Sequence, residues 1–357
     1  MRYLMSVVFV FATLSLVIVA SSLTEAQAPA HHIVKFDVEG AGTASGQGTI
    51  PSLILNDGTI LGEFIDSANV YHVFLRSTAG SITKFDAPGA GTGPNQGTFF
   101  GGANSTSVVG YFIDSGNTYH GFLLSGSGTF TPIGDPSAGS GSYQGTLPDN
   151  INKTGVIAGN YVDSNGVVHG FLRPAGGKFL TFDDPMAGSG PGQGTEAAGL
   201  CGLTDTGAIT GEYIDSSGVY HGFLRSPNGT FTTIDPVGSI ATYPIGLSAN
   251  QTVAGFYLDS SGSYHSFTSF DNAITIYDAP NAIDTLANNI NSGGTIAGGY
   301  VDSSGVERGY LRLPSGTFFE SSVPGATSTS ANFSNANGQV TGDYLDSNNA
   351  YHGFVYQ

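Results

Sequence analysis

The sequence has little charge, a single cysteine and no tryptophan. Asp, Glu, Lys and Arg make up 10% of its 357 residues, and with only 10 Lys and Arg the formal net charge is −17. Such a chain lacks the basic patches that phosphate backbones require, so we expect no nucleic acid partner. The single cysteine, Cys201, permits no internal disulfide, so packing must hold the fold together. Its apolar setting, GLCGLTD, predicts a structural thiol rather than a nucleophile.

Glycine and aromatic residues are abundant. The chain contains 54 Gly, 23 Phe and 17 Tyr. Because Gly costs about 1 kcal/mol at each helical position, this composition favours short strands joined by tight turns over helices. The aromatic side chains supply enough apolar surface for a core, which argues against disorder.

The first 28 residues have the features of a secretory signal peptide. Arg2 precedes an apolar run over residues 4–20, and Ala26-Gln27-Ala28 resembles a small-residue cleavage site. We therefore expect a secreted, periplasmic or cell-surface protein whose mature part, residues 29–357, is one domain without a membrane span. A retained membrane anchor is the alternative, because the apolar run is close to the shortest length that crosses a bilayer.

One phrase, YIDSSGVYHGFLR at 213–225, recurs with small changes along the whole mature chain. Successive copies begin 43 to 52 residues apart, and the intervening segments are rich in strand-forming and turn-forming residues. A period of this size with four short strands per copy is typical of a β-propeller blade. We number the repeats 1 to 7 by the aspartate of each copy: Asp66, Asp114, Asp163, Asp215, Asp259, Asp302 and Asp346.

Repeat 3 illustrates the predicted strands. They cover residues 146–152, 156–163, 167–173 and 178–185, with Gly-containing turns between them. The last repeat ends 11 residues after Asp346, before any fourth strand, whereas a fourth-strand phrase with Phe36-Asp37 lies near the N-terminus. We therefore predict an all-β, seven-bladed propeller of four-stranded antiparallel blades. Pairing of residues 33–38 with 351–356 completes its last blade and covers both free edges.

The repeated aspartates and histidines are predicted to be structural. Each Asp ends a second strand, where its carboxylate can accept hydrogen bonds from turn N–H groups, and each His begins a third strand across the hairpin. Seven equivalent sites do not suit catalysis, which needs one asymmetric arrangement. Repeat 6 has Arg308 in place of the histidine, and the other six repeats carry His72, His120, His169, His221, His265 and His352.

No cofactor is expected from these residues. Calcium is the alternative, because each turn offers Asp and Ser oxygens, although calcium sites gather more oxygen ligands than one Asp and one Ser. Zinc needs convergent His or Cys ligands, whereas His31 and His32 are adjacent and the remaining histidines are spread over the repeats.

The loops that precede the first four repeats are the predicted ligand face. They cover 40–49, 88–98, 136–146 and 185–195, and each ends in Gln-Gly-Thr, whereas the last three loops are shorter and lack this ending. Loops on a rigid scaffold commonly carry function. The candidate ligand residues are Gln47, Gln96, Gln144 and Gln193.

The segment NINKTGVIAGNYVDSNGVVHGFL (150–172) resembles the bacterial extracellular HAF repeat, which is named for a His-Ala-Phe core. Residues 289–311 match with Arg-Gly-Tyr in the core, and this chain has Gly where the family name has Ala. The resemblance covers the mature chain. It implies an exported β-propeller without an established activity, and it transfers no catalytic residue.

Three functions are compatible with these features. The first is a secreted, monomeric binding module for glycans, cell-surface polymers or a surface protein. The second is a polysaccharide lyase or hydrolase with an acid–base cluster at the propeller channel, for which Glu307 and Arg308 in the divergent repeat 6 are the residues to test. The third is a structural component of the cell surface.

Overall fold

The computed structural model describes residues 32–197, 199 and 201–356. The predicted signal peptide, residues 1–28, lies outside this range, as do residues 29–31. All regular elements in the described range are β-strands, 28 in number. No helix in that range is long and apolar enough to cross a membrane.

The strands pair in antiparallel sets of four, and each set coincides with one sequence repeat. Strand β1 is Ile33–Phe36. The following strands, β2 to β28, are, by repeat: Gly48–Ile54, Ile60–Ile65, Tyr71–Arg76 and Ile82–Phe85 (repeat 1); Gly97–Ala103, Ser107–Ile113, Tyr119–Ser125 and Phe130–Ile133 (2); Gly145–Ile151, Ile157–Val162, Val168–Arg173 and Leu180–Phe182 (3); Gly194–Ala197, Ile209–Ile214, Tyr220–Arg225 and Phe231–Ile234 (4); Ser239–Leu247, Val253–Asp259, Tyr264–Phe270 and Ala273–Tyr277 (5); Ala282–Ile290, Ile296–Asp302, Glu307–Arg312 and Phe318–Glu320 (6); Ser328–Ser334, Val340–Leu345 and Tyr351–Tyr356 (7).

Strand β1 supplies the fourth strand of repeat 7. It pairs antiparallel with β28, with Ile33 opposite Tyr356 and Phe36 opposite Gly353. Strand β28 in turn pairs with β27 on its other side. The N-terminal strand thus occupies the position that a fourth strand occupies in the other repeats.

The fourth strand of each repeat is less buried than the first. The first strands are largely buried, as in Gly48–Ile54, whereas the fourth strands are mostly open to solvent, as in Ile82–Phe85. The aromatic residue of each third strand is at most 2% exposed and belongs to the core, where apolar burial provides most of the stabilisation. These residues are Phe74, Phe122, Phe171, Phe223, Phe267, Tyr310 and Phe354.

Each first strand carries a buried threonine, which in all repeats but one bonds to the chain just after the fourth strand of the preceding repeat. In six repeats its Oγ1 accepts a backbone N–H just beyond that fourth strand at 2.8–3.1 Å, as Thr195 accepts from Asp184. Repeat 5 is the exception. Thr242 has no hydrogen-bond partner there, and residue 236, which stands where the other repeats have the donor, is a proline without an N–H.

Asparagine amides form a second link between neighbouring repeats. The residue that follows the first strand donates from Nδ2 to the carbonyl of the equivalent residue in the next repeat. The bond between repeats 7 and 1 has the same form as those between repeats that follow one another in sequence. The four bonds are Asn104 to Asn152 (2.9 Å), Asn152 to Thr204 (3.1 Å), Asn291 to Asn335 (3.0 Å) and Asn335 to Leu55 (2.9 Å).

Repeat 4 departs from the common pattern after its short first strand. Cys201 lies there and forms a parallel bridge with Gly246 of repeat 5. The amide of Asn289 donates to Sγ of Cys201 at 2.9 Å. Burial raises the pKa of the Cys201 thiol to about 12, so the thiol stays protonated and is a poor nucleophile at neutral pH.

Candidate functional site

The seven repeated aspartates organise the turns between second and third strands. In every repeat Oδ1 accepts the backbone N–H groups two and four residues further on, at 2.7–3.1 Å. These bonds stabilise the charged carboxylate. The hydroxyl of Ser261 and the N–H of Ser263 lower the pKa of Asp259 to about 2. The turn oxygens are therefore already engaged by the protein.

Each of five histidines lies between two carboxylates. Nδ1 is 2.7–3.0 Å from the aspartate at the end of the fourth strand, and Nε2 is 3.5–3.9 Å from the turn aspartate. The hydrogen bond with Asp86 is the main cause that raises the pKa of His72. The sequence analysis considered only the turn aspartate, although the fourth-strand partner follows the histidine by 13 or 14 residues in four of these pairs. The pairs are His72–Asp86, His169–Asp183, His221–Asp235, His265–Asp278 and His352–Asp37.

Repeat 6 makes the same connection with different residues. Nε of Arg308 donates to Asp302 at 2.6 Å, and its Nη1 donates to Glu320 at 3.4 Å. Glu307 accepts a hydrogen bond from the hydroxyl of Ser328 at 2.7 Å. The two residues chosen to test the enzyme hypothesis thus make framework contacts, and neither lines the cavity described below.

The four candidate glutamines hold their loops together. In each case Oε1 accepts the N–H three residues earlier at 2.9–3.2 Å. Nε2 of three of them donates into the turn of their own repeat: Gln47 to Asn69, Gln96 to Asn117, and Gln144 to the carbonyl of Ser164. These hydrogen bonds leave little capacity for a ligand at Gln47, Gln96 and Gln144, and they engage Oε1 of Gln193.

The glycine of each Gln-Gly-Thr ending is required by a close approach between repeats. A Cβ at Gly194 would lie 1.9 Å from the carbonyl oxygen of Val168, and φ at Gly194 is +125°. Gly48, Gly97 and Gly145 make the same approach to the third strand of the preceding repeat. The ending Gln-Gly-Thr is therefore a joint between repeats.

A metal site is not evident in the part of the chain that the structure describes. No group of three or more His, Cys, Asp or Glu side chains there is arranged to hold a metal ion. The turn aspartate and serine proposed as calcium ligands instead bond to the turn, as the hydroxyl of Ser261 donates to Asp259 at 2.7 Å.

Repeats 2 to 5 together line a cavity of about 630 Å³, which we call the inner cavity. Its size lies in the range of small-molecule sites. The wall on the side of repeat 2 carries Tyr119 and Tyr143, with ring centroids 6.2 Å apart, and the wall of repeat 5 carries Tyr243 and Phe256, stacked at 5.2 Å. Between these aromatic walls lie the polar side chains of Asp149, Asn160, Glu196 and Glu212.

Two glutamates face each other in this cavity. Glu196 on β14 is the direct cross-strand partner of Glu212 on β15. Burial, and secondarily the charge of Glu196, raises the pKa of Glu212 to about 8. Burial also raises the pKa of Glu196. Two ionised glutamates directly opposite one another would destabilise this strand pair, which is a second reason for Glu212 to hold its proton.

Asp149 lies beside this pair and is held by Asn160. Nδ2 of Asn160 donates to Asp149 at 3.0 Å, and Oδ1 of Asn160 accepts the N–H of Ala197 at 2.7 Å. Burial, followed by the charge of Glu196, raises the pKa of Asp149 to about 8. At neutral pH both Asp149 and Glu212 are therefore largely protonated and can donate as well as accept hydrogen bonds.

None of these cavity residues was predicted from the sequence. Residues equivalent to Glu212 lie three positions before each turn aspartate. Six residue types occupy this position in the seven repeats, and only Glu occurs twice: Glu63, Tyr111, Asn160, Glu212, Phe256, Gly299 and Asp343. Variation at one position of an otherwise regular repeat was the available signal. Their convergence with the first-strand residues Asp149 and Glu196 required the strand register.

No protein-family model and no curated protein sequence matches this chain. Several solved structures, among them the following three, resemble it at low sequence identity. The BP39L lectin from Burkholderia pseudomallei is 11% identical with a TM-score of 0.54, and the match covers 88% of this chain and 94% of the lectin. A puromycin hydrolase is 13% identical with a TM-score of 0.55, and the match covers 87% of this chain and 52% of the hydrolase.

The third is TolB from Acinetobacter baumannii, 13% identical with a TM-score of 0.48, matched over 89% of this chain and 66% of TolB. This chain thus spans less than two thirds of TolB and about half of the hydrolase. Identities this low relate folds only. In the part that the structure describes, the chain is an all-β protein, and its likeness to the BP39L lectin and the puromycin hydrolase concerns the fold alone.

Proposed function

We propose that this protein is an exported, closed seven-bladed propeller that binds a neutral saccharide of a surface polymer in the inner cavity. The observation that carries the proposal is a set of carboxyl groups between two aromatic walls. The closed ring, the export and the family resemblance of the repeat belong to the same proposal.

Closure of the ring is supported by contacts between repeats 7 and 1 that reproduce those between consecutive repeats. The guanidinium of Arg76 lies 4.8 Å from the ring centroid of Phe36, as that of Arg225 lies 4.7 Å from Phe182. The asparagine bond from Asn335 to Leu55 likewise repeats the bonds within the series. A ring of this kind leaves only short strand edges, those of the fourth strands.

The aromatic walls suit the apolar face of a sugar ring. Tyr and Phe provide large, rigid contact surfaces at low entropic cost, and the Tyr hydroxyl adds a polar end. The carboxyl groups and the amide of Asn160 supply hydrogen-bond acceptors and donors for hydroxyl groups. A neutral ligand fits better than an anionic one, because the chain carries a formal charge of −17.

Tyr143 is the cavity residue with the strongest indication of a ligand role. It has a φ of +58°, a conformation that costs a bulky residue roughly 1 kcal/mol, and its side chain is 59% exposed. The equivalent loop positions hold Gly46, Asn95 and Gly192, which tolerate a positive φ. Repeat 3 therefore has a tyrosine in a backbone conformation that is unfavourable for it, although the loop does not require a tyrosine there, and this side chain lines the cavity.

The lectin among the structural neighbours supports a saccharide over other neutral ligands. That protein is a lectin, and the match spans 94% of its chain. The likeness to a puromycin hydrolase makes an enzyme the second candidate function. The specific observation that favours an enzyme is the facing Glu196 and Glu212, since paired carboxyls with different protonation states perform acid–base hydrolysis of glycosides.

The test is a glycan array printed with neutral and acidic oligosaccharides, followed by calorimetry with the best neutral oligosaccharide. We expect binding to be weakened about tenfold or more in Tyr143→Asn, through loss of the aromatic contact, and in Glu212→Ala, through loss of the hydrogen-bond donor and acceptor of the carboxyl group. Phe270→Ala is the matched control, because Phe270 is exposed but lies outside the inner cavity.

Tyr143→Asn separates binding from folding. Asn accepts a positive φ more readily than Tyr, so this variant is expected to be at least as stable as the wild type while it loses binding. An array without any neutral ligand, or binding that both cavity variants leave unchanged, would contradict the proposal. Release of reducing ends from the bound oligosaccharide, abolished in Glu212→Gln, would establish the hydrolase instead.

A further inference from the structure

Repeat 2 differs from the other six repeats at the end of its fourth strand. Gly134 occupies the position at which the others have an aspartate or, in repeat 6, Glu320. His120 therefore lacks the carboxylate that contacts Nδ1 elsewhere. Its Nε2 is 2.9 Å from Asp114, and no described residue forms a hydrogen bond with its Nδ1.

A pocket of about 510 Å³ opens beside this histidine. Its lining is mainly apolar, with Phe112, Phe130 and Pro132 around the imidazole, and His120 stacks on Phe112 with centroids 4.8 Å apart. The side chain of His120 is 43% exposed, against 20–26% for the five histidines that have a fourth-strand aspartate. Without the fourth-strand carboxylate, Nδ1 of His120 has no hydrogen-bond partner among the described residues, and the pocket beside it is open to solvent.

We propose that this pocket binds a small monocarboxylate with a flat apolar body. The ligand's carboxylate takes the place of the missing fourth-strand carboxylate and accepts a hydrogen bond from Nδ1 of the doubly protonated His120 ring, whose Nε2 donates to Asp114. Its apolar body lies against Phe112, Phe130 and Pro132. This site is separate from the inner cavity and does not depend on the function proposed for that cavity.

The protein itself shows that a carboxylate is accepted at this place. In five repeats an aspartate oxygen lies 2.7–3.0 Å from the equivalent Nδ1, the distance of a charge-assisted hydrogen bond. No repeat places a hydroxyl or an amine against this ring nitrogen among the five with a fourth-strand aspartate. The same contact made by a ligand is therefore the interaction for which the imidazole is already oriented.

A neighbouring buried carboxylate does not exclude an anionic ligand. Asp135 lines the pocket and is 5% exposed, with Oδ2 lacking a hydrogen-bond partner. Repeat 3 has the same arrangement with both positions filled: Asp183 contacts His169, and Asp184 follows it, 4% exposed. Two carboxylates therefore coexist beside one histidine in this framework.

Gly134 also makes the proposal testable without disturbing the fold. Its φ is not positive, and a Cβ there meets no atom within 4 Å. The variant Gly134→Asp should therefore restore the pairing seen in repeat 3 and compete with any ligand. Gly134→Ala adds the Cβ alone and is the matched control.

The experiment follows the His120 imidazole signals by NMR during titration with sodium benzoate, using the full mature chain. Benzyl alcohol is the neutral control, and sodium chloride is added at equal ionic strength. We expect benzoate to shift the His120 signals with a Kd of about 1 mM in the wild type and in Gly134→Ala, and at least about tenfold more weakly in Gly134→Asp. Asp183→Gly should make the His169 signals respond to benzoate as well.

Three results would overturn the proposal. One is no response of His120 to benzoate in a wild-type protein that is folded by circular dichroism. The second is an equal response in Gly134→Asp. The third is an equal response to benzyl alcohol, which would leave only a pocket for apolar bodies. A failure of Asp183→Gly to fold would not affect the conclusion, because the Gly134 pair decides it.

Discussion

The turns between second and third strands and the inner cavity belong to the same repeats, but the turn residues are repeated and the cavity residues are not. In the turns, every repeat uses an aspartate with the same two backbone hydrogen bonds. In the cavity, one backbone position carries Leu147 opposite Asn160 in repeat 3 and Glu196 opposite Glu212 in repeat 4. Because the framework accepts either pair, it does not require two glutamates. Repetition therefore identifies residues that build the fold, and departure from repetition identifies residues to examine for binding.

The largest effect is expected where the repeated framework is broken. In Gly194→Ala the new Cβ would lie 1.9 Å from the carbonyl oxygen of Val168, at a φ of +125°. We expect a loss of roughly 3 kcal/mol or more in the free energy of unfolding, which denaturant titration would measure, because the backbone of two repeats must move apart. Gly134→Ala, where no atom lies within 4 Å, should change it by less than about 1 kcal/mol. Equal effects of the two substitutions would show that the joint is not tight.

A smaller effect separates two threonines at the same position of their repeats. Thr195→Val removes the acceptor for the N–H of Asp184 and should cost about 1–2 kcal/mol, because that buried donor then has no partner. Thr242→Val removes a hydroxyl that has no partner and should be neutral or slightly stabilising. Thermal unfolding of both variants provides the comparison, and a loss in Thr242→Val as large as in Thr195→Val would contradict it.

The smallest effect concerns the cavity and depends on pH. The pKa of Glu212 rises from an ordinary value of 4.5 to about 8 on folding. The folded state therefore holds this proton more tightly, and the stabilising contribution, complete below about pH 4.5, is lost as the pH rises towards 8. Glu212→Gln should leave stability at pH 5 nearly unchanged and increase it at pH 9, because the amide does not ionise. Melting curves across this pH range that run parallel for the two proteins would argue against a buried, protonated Glu212.

The strand framework could be predicted because its signals are local and repeated. In repeat 3 the strands predicted at 146–152, 156–163 and 167–173 correspond to Gly145–Ile151, Ile157–Val162 and Val168–Arg173. The predicted fourth strand, 178–185, is shorter in the structure, at Leu180–Phe182, because most of it is exposed and pairs on one side only. The pairing of Ile33–Phe36 with the last strand followed from counting fourth-strand phrases.

The residues proposed to bind a saccharide could not be found in the same way. Glu196 and Glu212 are 16 positions apart, and only the register of β14 against β15 makes them partners. Tyr143 is one residue from Gln144, which the sequence analysis selected, but only the backbone angle reveals that the tyrosine is the unusual member. Likewise, the importance of Gly134 emerges only after the histidine is seen to need a second carboxylate.

The pairing of β1 with β28 has a mechanical consequence. Ile33 lies opposite Tyr356, so any chain that extends before residue 33 or beyond residue 356 leaves from the same end of this strand pair. Tension between the two ends therefore loads one hydrogen bond at a time and peels the strands apart, rather than shearing all their bonds together. A short peptide bridging these two positions would remove that weak point and allow new ends to be opened at a distant turn.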